Sequence, residues 1–215
     1  GAAVAAGLKS SGALDLTLIE NSGPRFDAAA VYTSNQVVAA PVIWSREVTK
    51  GKIVRAAVLN SGGANACTGP QGFADTHHTA EKVGELLGIS SGEVVVCSTG
   101  LIGELLPMPK IISGLDSIAK NLSPNSLDDV SRAIMTTDSV PKTATTSVHG
   151  VQFVGIAKGA GMLAPALATM LSVVMTDVIL PPNAQEIFSR VTNRTYNRID
   201  SDGCTSTNDT VLLMG

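Results

Sequence analysis

The chain has 215 residues, 44% of them apolar and only 15% charged, which supplies a core and excludes a disordered segment. Its net charge of −3 comes with no lysine–arginine run, which argues against nucleic acid as a partner. No apolar run reaches the ~20 residues of a membrane-crossing helix, and aromatics, at 3%, are so few that the core must be packed from small side chains.

In chain order, the small apolar start carries Lys9 behind its apolar part, the wrong order for a secretory signal. Strands are predicted over 14–20, 28–34 and 53–60. The first alternates apolar with polar, as a half-exposed strand does; the third is almost continuously apolar and suits the middle of a sheet. The run "LNSGGANACTGPQG" (59–72) follows, and it reads either as an anion-cradling loop or as a tight, well-packed turn. It contains neither GxxxxGK[ST] nor GxGxxG, and its Asn60 and Asn65 either line a site or bond their own backbone. A helix is predicted over 74–88, with Asp75 as N-cap and Gly88 as its stop. A strand over 93–98 then runs into a Thr99-Gly100 turn, and helical stretches follow over 108–122 and 126–138. Strands return at 151–159 and 170–176; a helix opens at Asn183, paired with Glu186 as in a capping box, and a strand occupies 208–215. With no repeat, linker or boundary, these blocks of strands and helices point to an α+β layered domain.

Three cysteines, Cys67, Cys97 and Cys204, are widely spaced and odd in number. They support neither a disulfide framework nor a zinc site and fit reduced thiols in a cytoplasmic protein. His77 and His78 are adjacent, ~100° apart on a helix, and do not share a metal readily. His149 sits in the turn "SVHGV" and takes no role. Without a well-placed histidine, a serine or cysteine nucleophile lacks its usual base.

A threonine has another route. If the peptide bond before it is cleaved, the freed α-amine, with an ordinary pKa of ~7.7–8.0, becomes a base beside its own hydroxyl. Thr169, behind the small residues of "APALA", is either such a nucleophile or an ordinary strand opener. Thr99-Gly100 is either a strand-end turn or a place where a hydroxyl and a backbone N–H converge on one point, as an oxyanion hole requires. The stretch "MTTDSVPK" and Lys158 bring further polar groups, or simply end a helix and decorate a loop.

Together "NSGGANACTG", "CSTGLIGELLPM", "AIMTTD", "AKGAGMLAPALATML" and "DGCTSTNDTVLL" stand in the order found in ornithine acetyltransferases, the bifunctional glutamate N-acetyltransferases of arginine biosynthesis. The chain resembles that family from residue 9 to 214. The resemblance implies a layered two-sheet α/β sandwich of the DmpA type, similar to N-terminal nucleophile hydrolases. It implies self-cleavage between Ala168 and Thr169, an α segment over 1–168, and a β segment starting at 169 with Thr169 as nucleophile. Thr99 and Gly100 are then expected to stabilise the oxyanion, and Thr136, Lys158 and Thr169 to contact substrate. The implied reaction moves acetyl from N-acetylornithine to glutamate, releasing ornithine, with no metal and no bound cofactor and with acetyl-CoA as an additional donor in bifunctional members. The implied assembly is an α2β2 heterotetramer in the cytoplasm. Family members run to about twice this length, so the chain is expected to be truncated, without much of the C-terminal half. Two other readings are an aminopeptidase or amidase using the same threonine, and a non-catalytic assembly module.

Overall fold

The computed structural model describes residues 1–162 and 170–215; Ala168 and Thr169 lie outside the described residues. The described chain runs β1 (Ala2–Val4), β2 (Leu16–Glu20), β3 (Ala28–Tyr32), α1 (Ala40–Lys50), β4 (Ala56–Asn60), α2 (Gly69–Leu87), β5 (Val94–Ser98), α3 (Met108–Ile118) and α4 (Leu127–Ala133). It continues through β6 (Lys142–Val148), β7 (Val151–Lys158), β8 (Leu171–Thr176), α5 (Ala184–Arg194) and β9 (Thr210–Met214). The strands form two sheets, β1-β2-β4-β5 and β3-β9-β8-β7-β6, each mixed in direction.

The period of two along each strand decides how the layers stack. In the first sheet Ile19, Ala57, Leu59, Val95 and Cys97 face the second sheet, where Ala28, Ala30, Ile156, Leu171, Val173 and Leu212 meet them. Their neighbours Leu16, Leu18, Ala56, Val58, Val94 and Val96 point the other way, onto Ala80 and Val83 of α2 and Ile111, Leu115 and Ile118 of α3. Ala29 and Val211 on the outer face of the second sheet pack against Phe188 of α5. The molecule is therefore a helix–sheet–sheet–helix sandwich, and the β4 and β5 runs are continuously apolar because both of their faces are covered.

The expected strands and most helices are present; β1 was not expected, β2 is buried from Leu16 to Ile19 where half-exposure was expected, and further differences lie in the helices and β6. The helix predicted to start at Asp75 begins at Gly69, because Gly69 turns at positive φ and Pro70 starts the first turn. Asp75 lies inside it and accepts from Gln71 Nε2 at 2.8 Å; Gly88 ends it in the left-handed conformation, as expected. Asn183 precedes α5 but makes no capping hydrogen bond through its side chain. Helix α1 is rich in β-branched residues and carries Trp44, so its composition does not announce a helix; Pro41 in its first turn and buried Val42, Ser45 and Val48 on one face make it one. Strand β6 is exposed along its whole length and shows no apolar alternation. It exists by pairing with β7 through the two-residue turn His149-Gly150, both at positive φ. His77 and His78 lie exposed on α2, and His77 meets Glu81 at 3.4 Å. All three cysteines are free, and burial pushes the Cys97 thiol up to about 12, which leaves it inert.

Candidate active site

One end of the sandwich is polar. Strand β5 runs parallel to β4 and stops at Ser98, whose Oγ accepts from Asn60 Nδ2 at 2.6 Å. The next N–H, that of Thr99, donates back to the Asn60 carbonyl at 3.0 Å, and Thr99 bridges to Gly63. Gly100 then turns at φ 137°, where a Cβ would sit 2.7 Å from the Gly63 nitrogen. The loops after β4 and β5 thus touch backbone to backbone, which only glycine allows at this point. Asn208 ties the pair to the other sheet, donating to the carbonyls of Ser98 at 2.8 Å and Ala64 at 2.6 Å. The glycine-rich run is a packed turn: Asn65 donates to the Gly72 carbonyl at 2.8 Å and to Thr76 Oγ1 at 2.9 Å, fastening the loop to α2.

Lys158 closes β7 from the second sheet. It is only 1% exposed, and its Nζ donates to Thr99 Oγ1 at 3.0 Å across the gap between the sheets. Burial lowers its pKa to about 8, with Asp138 and Asp209 pulling in the opposite direction. The reading of Lys158 as a solvated loop residue is therefore wrong: a lysine at a strand end points inward or outward according to register, and here β7 and β8 pair Lys158 opposite Leu171. Asp138 links two pieces of the site, accepting from the Thr136 N–H at 3.1 Å, the Gly159 N–H at 2.8 Å and Lys142 Nζ at 2.5 Å. Its carboxyl sits below the ordinary value: burial pushes up, and the Lys142 ammonium with the two backbone donors outweighs it.

Thr99, Gly100, Thr136 and Lys158, drawn from three places in the sequence, line one open cavity of about 740 Å³. That volume suits a small amino-acid-sized ligand. Lys9, Ser10 and Ser11 form part of the rim because buried Asp15 gathers the preceding loop, accepting from the N–H groups of Ala6 at 2.7 Å, Leu8 at 2.6 Å and Lys9 at 3.0 Å. Asp202, which accepts from the Met162 N–H at 2.6 Å, also lines the cavity. Among the described residues no group of three or more His, Cys, Asp or Glu is placed to hold a metal, and no helix is long and apolar enough to cross a membrane.

Three residues of this region were not singled out from sequence: Asp138, Asn208 and Asp209. Asp209 is fully buried and accepts from the Met170 N–H at 2.8 Å through Oδ1, with the Ser206 and Thr33 hydroxyls beside its carboxyl. Burial raises its pKa to about 7 against the pull of the Met170 N–H, the Ser206 hydroxyl and the Lys158 charge. The signal available was the polar run "STND" directly before an apolar strand, a place where side chains turn back onto neighbouring backbone.

The geometry can be set beside known proteins. The chain is 56% identical over 214 residues to the arginine biosynthesis bifunctional protein ArgJ of Streptomyces coelicolor, covering 99% of this chain and 56% of that protein. It is 53% identical over 222 residues to the protein of the same description from Mycobacterium tuberculosis, covering 99% and 55%. The chain thus spans about half the length of the curated relatives it matches. Among solved structures, the ornithine acetyltransferase of Mycobacterium tuberculosis complexed with ornithine superposes with TM-score 0.69 at 47% identity, over 78% of this chain and 91% of that one. ArgJ from Bacillus halodurans gives 0.69 at 35%, over 79% and 89%. An aminopeptidase of Ochrobactrum anthropi, described as a variant of the Ntn hydrolase fold, shares the fold alone, with TM-score 0.55 at 11% identity over 94% of this chain and 65% of that one. The model of the ArgJ family matches residues 1–215, and the chain belongs to the ArgJ family.

Proposed function

We propose that this chain carries the nucleophile and oxyanion groups of a self-processing acetyltransferase that moves acetyl from N-acetylornithine to glutamate. One observation carries the reading: Thr99, Gly100, Thr136 and Lys158 meet around a single cavity, and the buried Lys158 ammonium donates to the Thr99 hydroxyl. With its oxygen accepting from Lys158, Thr99 keeps its own O–H free to be aimed into the cavity. That is the polarised donor an oxyanion needs. Membership of the ArgJ family, and a similar solved structure described as complexed with ornithine, support the substrate class.

In this reading Thr169 Oγ attacks the Ala168 carbonyl, the acyl group shifts from nitrogen to oxygen, and water cleaves the ester. The products are an Ala168 carboxylate and a free α-amine on Thr169. That amine then takes the Oγ proton as Oγ attacks the acetyl carbonyl of N-acetylornithine. The C–N bond breaks, the proton leaves with ornithine, and an acetyl-threonine ester remains. The glutamate amine displaces the ester, giving N-acetylglutamate and regenerating the hydroxyl. Thr99 and Gly100 face the oxyanion in each step; Thr136 and Lys158 orient the substrate, with Lys9 and Asp202 as charges at the rim. The reading assigns no metal and no bound cofactor to these steps. It places the enzyme in the cytoplasm as an α2β2 assembly, with acetyl-CoA as a second donor to be tried beside N-acetylornithine.

Intact mass spectrometry tests the first step. Two pieces meeting between 168 and 169 are expected from the parent and one piece from Thr169→Ala, which also loses acetyl transfer while keeping its melting temperature. Incubation with N-acetylornithine and glutamate should yield N-acetylglutamate. Free acetate in its place would turn the reading to an amidase.

A further inference from the structure

Between α4 and β6 the chain turns beside the cavity, and Asp138 lies in that turn with none of its side chain exposed. Its carboxylate is shared among three segments. Oδ2 accepts from the Thr136 N–H at 3.1 Å, two residues upstream. Oδ1 accepts from the Gly159 N–H at 2.8 Å, just past the end of β7, and from Lys142 Nζ at 2.5 Å, at the start of β6. Lys142 pairs with Ala157 in the β6–β7 ladder, so Lys142 and Lys158 stand at the same end of one hairpin. Two of the three segments reach the cavity, one through Thr136 and Thr137 and the other through Lys158 and Ala160. The third partner, Lys142, is on the solvent side, with 43% of its side chain exposed.

A turn alone does not call for this residue. One oxygen closes it on Thr136, and a buried carboxylate gives up far more hydration than an amide of the same shape. The charge has a use at Lys158. That side chain is 1% exposed and donates to Thr99 Oγ1 at 3.0 Å, and it polarises the hydroxyl as a cation only while protonated. Four charged groups act on it: Asp138 and Asp209 favour the ammonium, Lys142 and Lys9 oppose it, and Asp138 is the strongest of the four.

We propose that Asp138 is a positioning residue for the acetyl transfer: its carboxylate fixes the Thr136 loop and the end of β7 in one frame and supplies the counter-charge that keeps Lys158 an ammonium donor to Thr99. The inference rests on the reading of Thr99 and Lys158 as oxyanion groups. Lys142 is the exposed counterweight in this arrangement, drawing on the same carboxylate from outside the cavity.

Asp138→Asn and Lys142→Gln test the proposal with opposite signs. In the full protein, acetyl transfer should fall at alkaline pH as Lys158 loses its proton, near 8 in the parent. Asp138→Asn removes the favourable charge and should move that limb to lower pH by about half a unit or more. Lys142→Gln removes an opposing charge, leaves both backbone donors on Asp138, and should move the limb to higher pH. Any result other than opposite shifts overturns the proposal, and a limb unmoved in both variants makes Asp138 merely structural. If Asp138→Asn does not fold, Lys142→Gln decides alone: an upward shift upholds the assignment, and an unmoved or lowered limb ends it. The side-chain ε-carbon resonance of Lys158, identified by its loss in Lys158→Met, should titrate with the same shifts whether or not acetyl is transferred. A parent without acetyl transfer therefore defeats the functional reading, and this resonance then decides whether Asp138 holds the Lys158 charge.

Discussion

The inter-sheet core and the polar end of the sandwich are made from the same strands. Strand β5 gives Cys97 to the core and Ser98 to the site, with Thr99 next; β7 gives Ile156 to the core and Lys158 to the site; β9 follows Asn208 and Asp209 and supplies Leu212 to the core. One to three residues along each strand separate the apolar layer from a cluster of buried polar groups. The apolar layer is stabilised by area and volume, which are spread over many side chains. At the polar end each group depends on one or two named partners, so a single replacement there alters chemistry more than stability.

The sharpest break in that comparison is Lys158→Met. It removes the donor to Thr99 and leaves a side chain of similar length, so the proposed acetyl transfer should fall, by at most the ~10²–10³-fold of losing an oxyanion donor, because Thr99 loses the ammonium that polarises it. Circular dichroism should still show a folded chain. Leu59→Ala probes the opposite face of the comparison. A fully buried leucine between the sheets should cost ~2–5 kcal/mol in urea unfolding, with KM and kcat of the surviving folded protein within a few-fold of the parent. Gly100→Ala sits on the border: at φ 137° its new methyl meets the Gly63 backbone at 2.7 Å. A loss of ~1–3 kcal/mol is expected together with a fall in kcat, because both loops that shape the cavity must move.

The smallest effect is a pH slope. Asp209 keeps its proton up to about 7 in the folded chain, against an ordinary value of 3.8. Between those values the folded state holds a proton the unfolded state has released, so this group's contribution is fully present below about 4 and is lost as pH rises through about 7. Lys158, lowered from 10.5 to about 8, works in a separate window: stability recovers as pH rises from about 8 towards 10.5. In the uncleaved Thr169→Ala background, adding Asp209→Asn should flatten the first slope and leave the second. Urea midpoints measured across pH 4 to 7 and 8 to 10 would show it. Equal slopes in both proteins would mean that the two strand ends are not electrostatically distinct.

Much of the fold could be read before the structure was seen. The apolar runs around 56–60 and 94–98 and the left-handed stop at Gly88 all stood where period and turn chemistry placed them. Helix α1 and strand β6 did not, since α1 is a run of strand-forming residues made helical by burial of one face, and β6 has no buried face at all. At the site, Thr99, Gly100, Thr136 and Lys158 were named from motifs and resemblance, and the structure brings these four together. Thr169, the residue they are proposed to serve, lies outside the described residues.

Sequence alone determined the identity of the chemistry-bearing groups and the alternation that makes a two-faced strand, because both are properties of side chains along one segment. It did not determine that Lys158 is buried against Thr99, that Asp138 joins the Thr136 loop to the end of β7, or that Asp209 grips the Met170 N–H. Those facts depend on which loops and strand ends distant in the chain meet, and for Lys158, the last residue of β7, a register shift of one residue would turn the side chain to the opposite face.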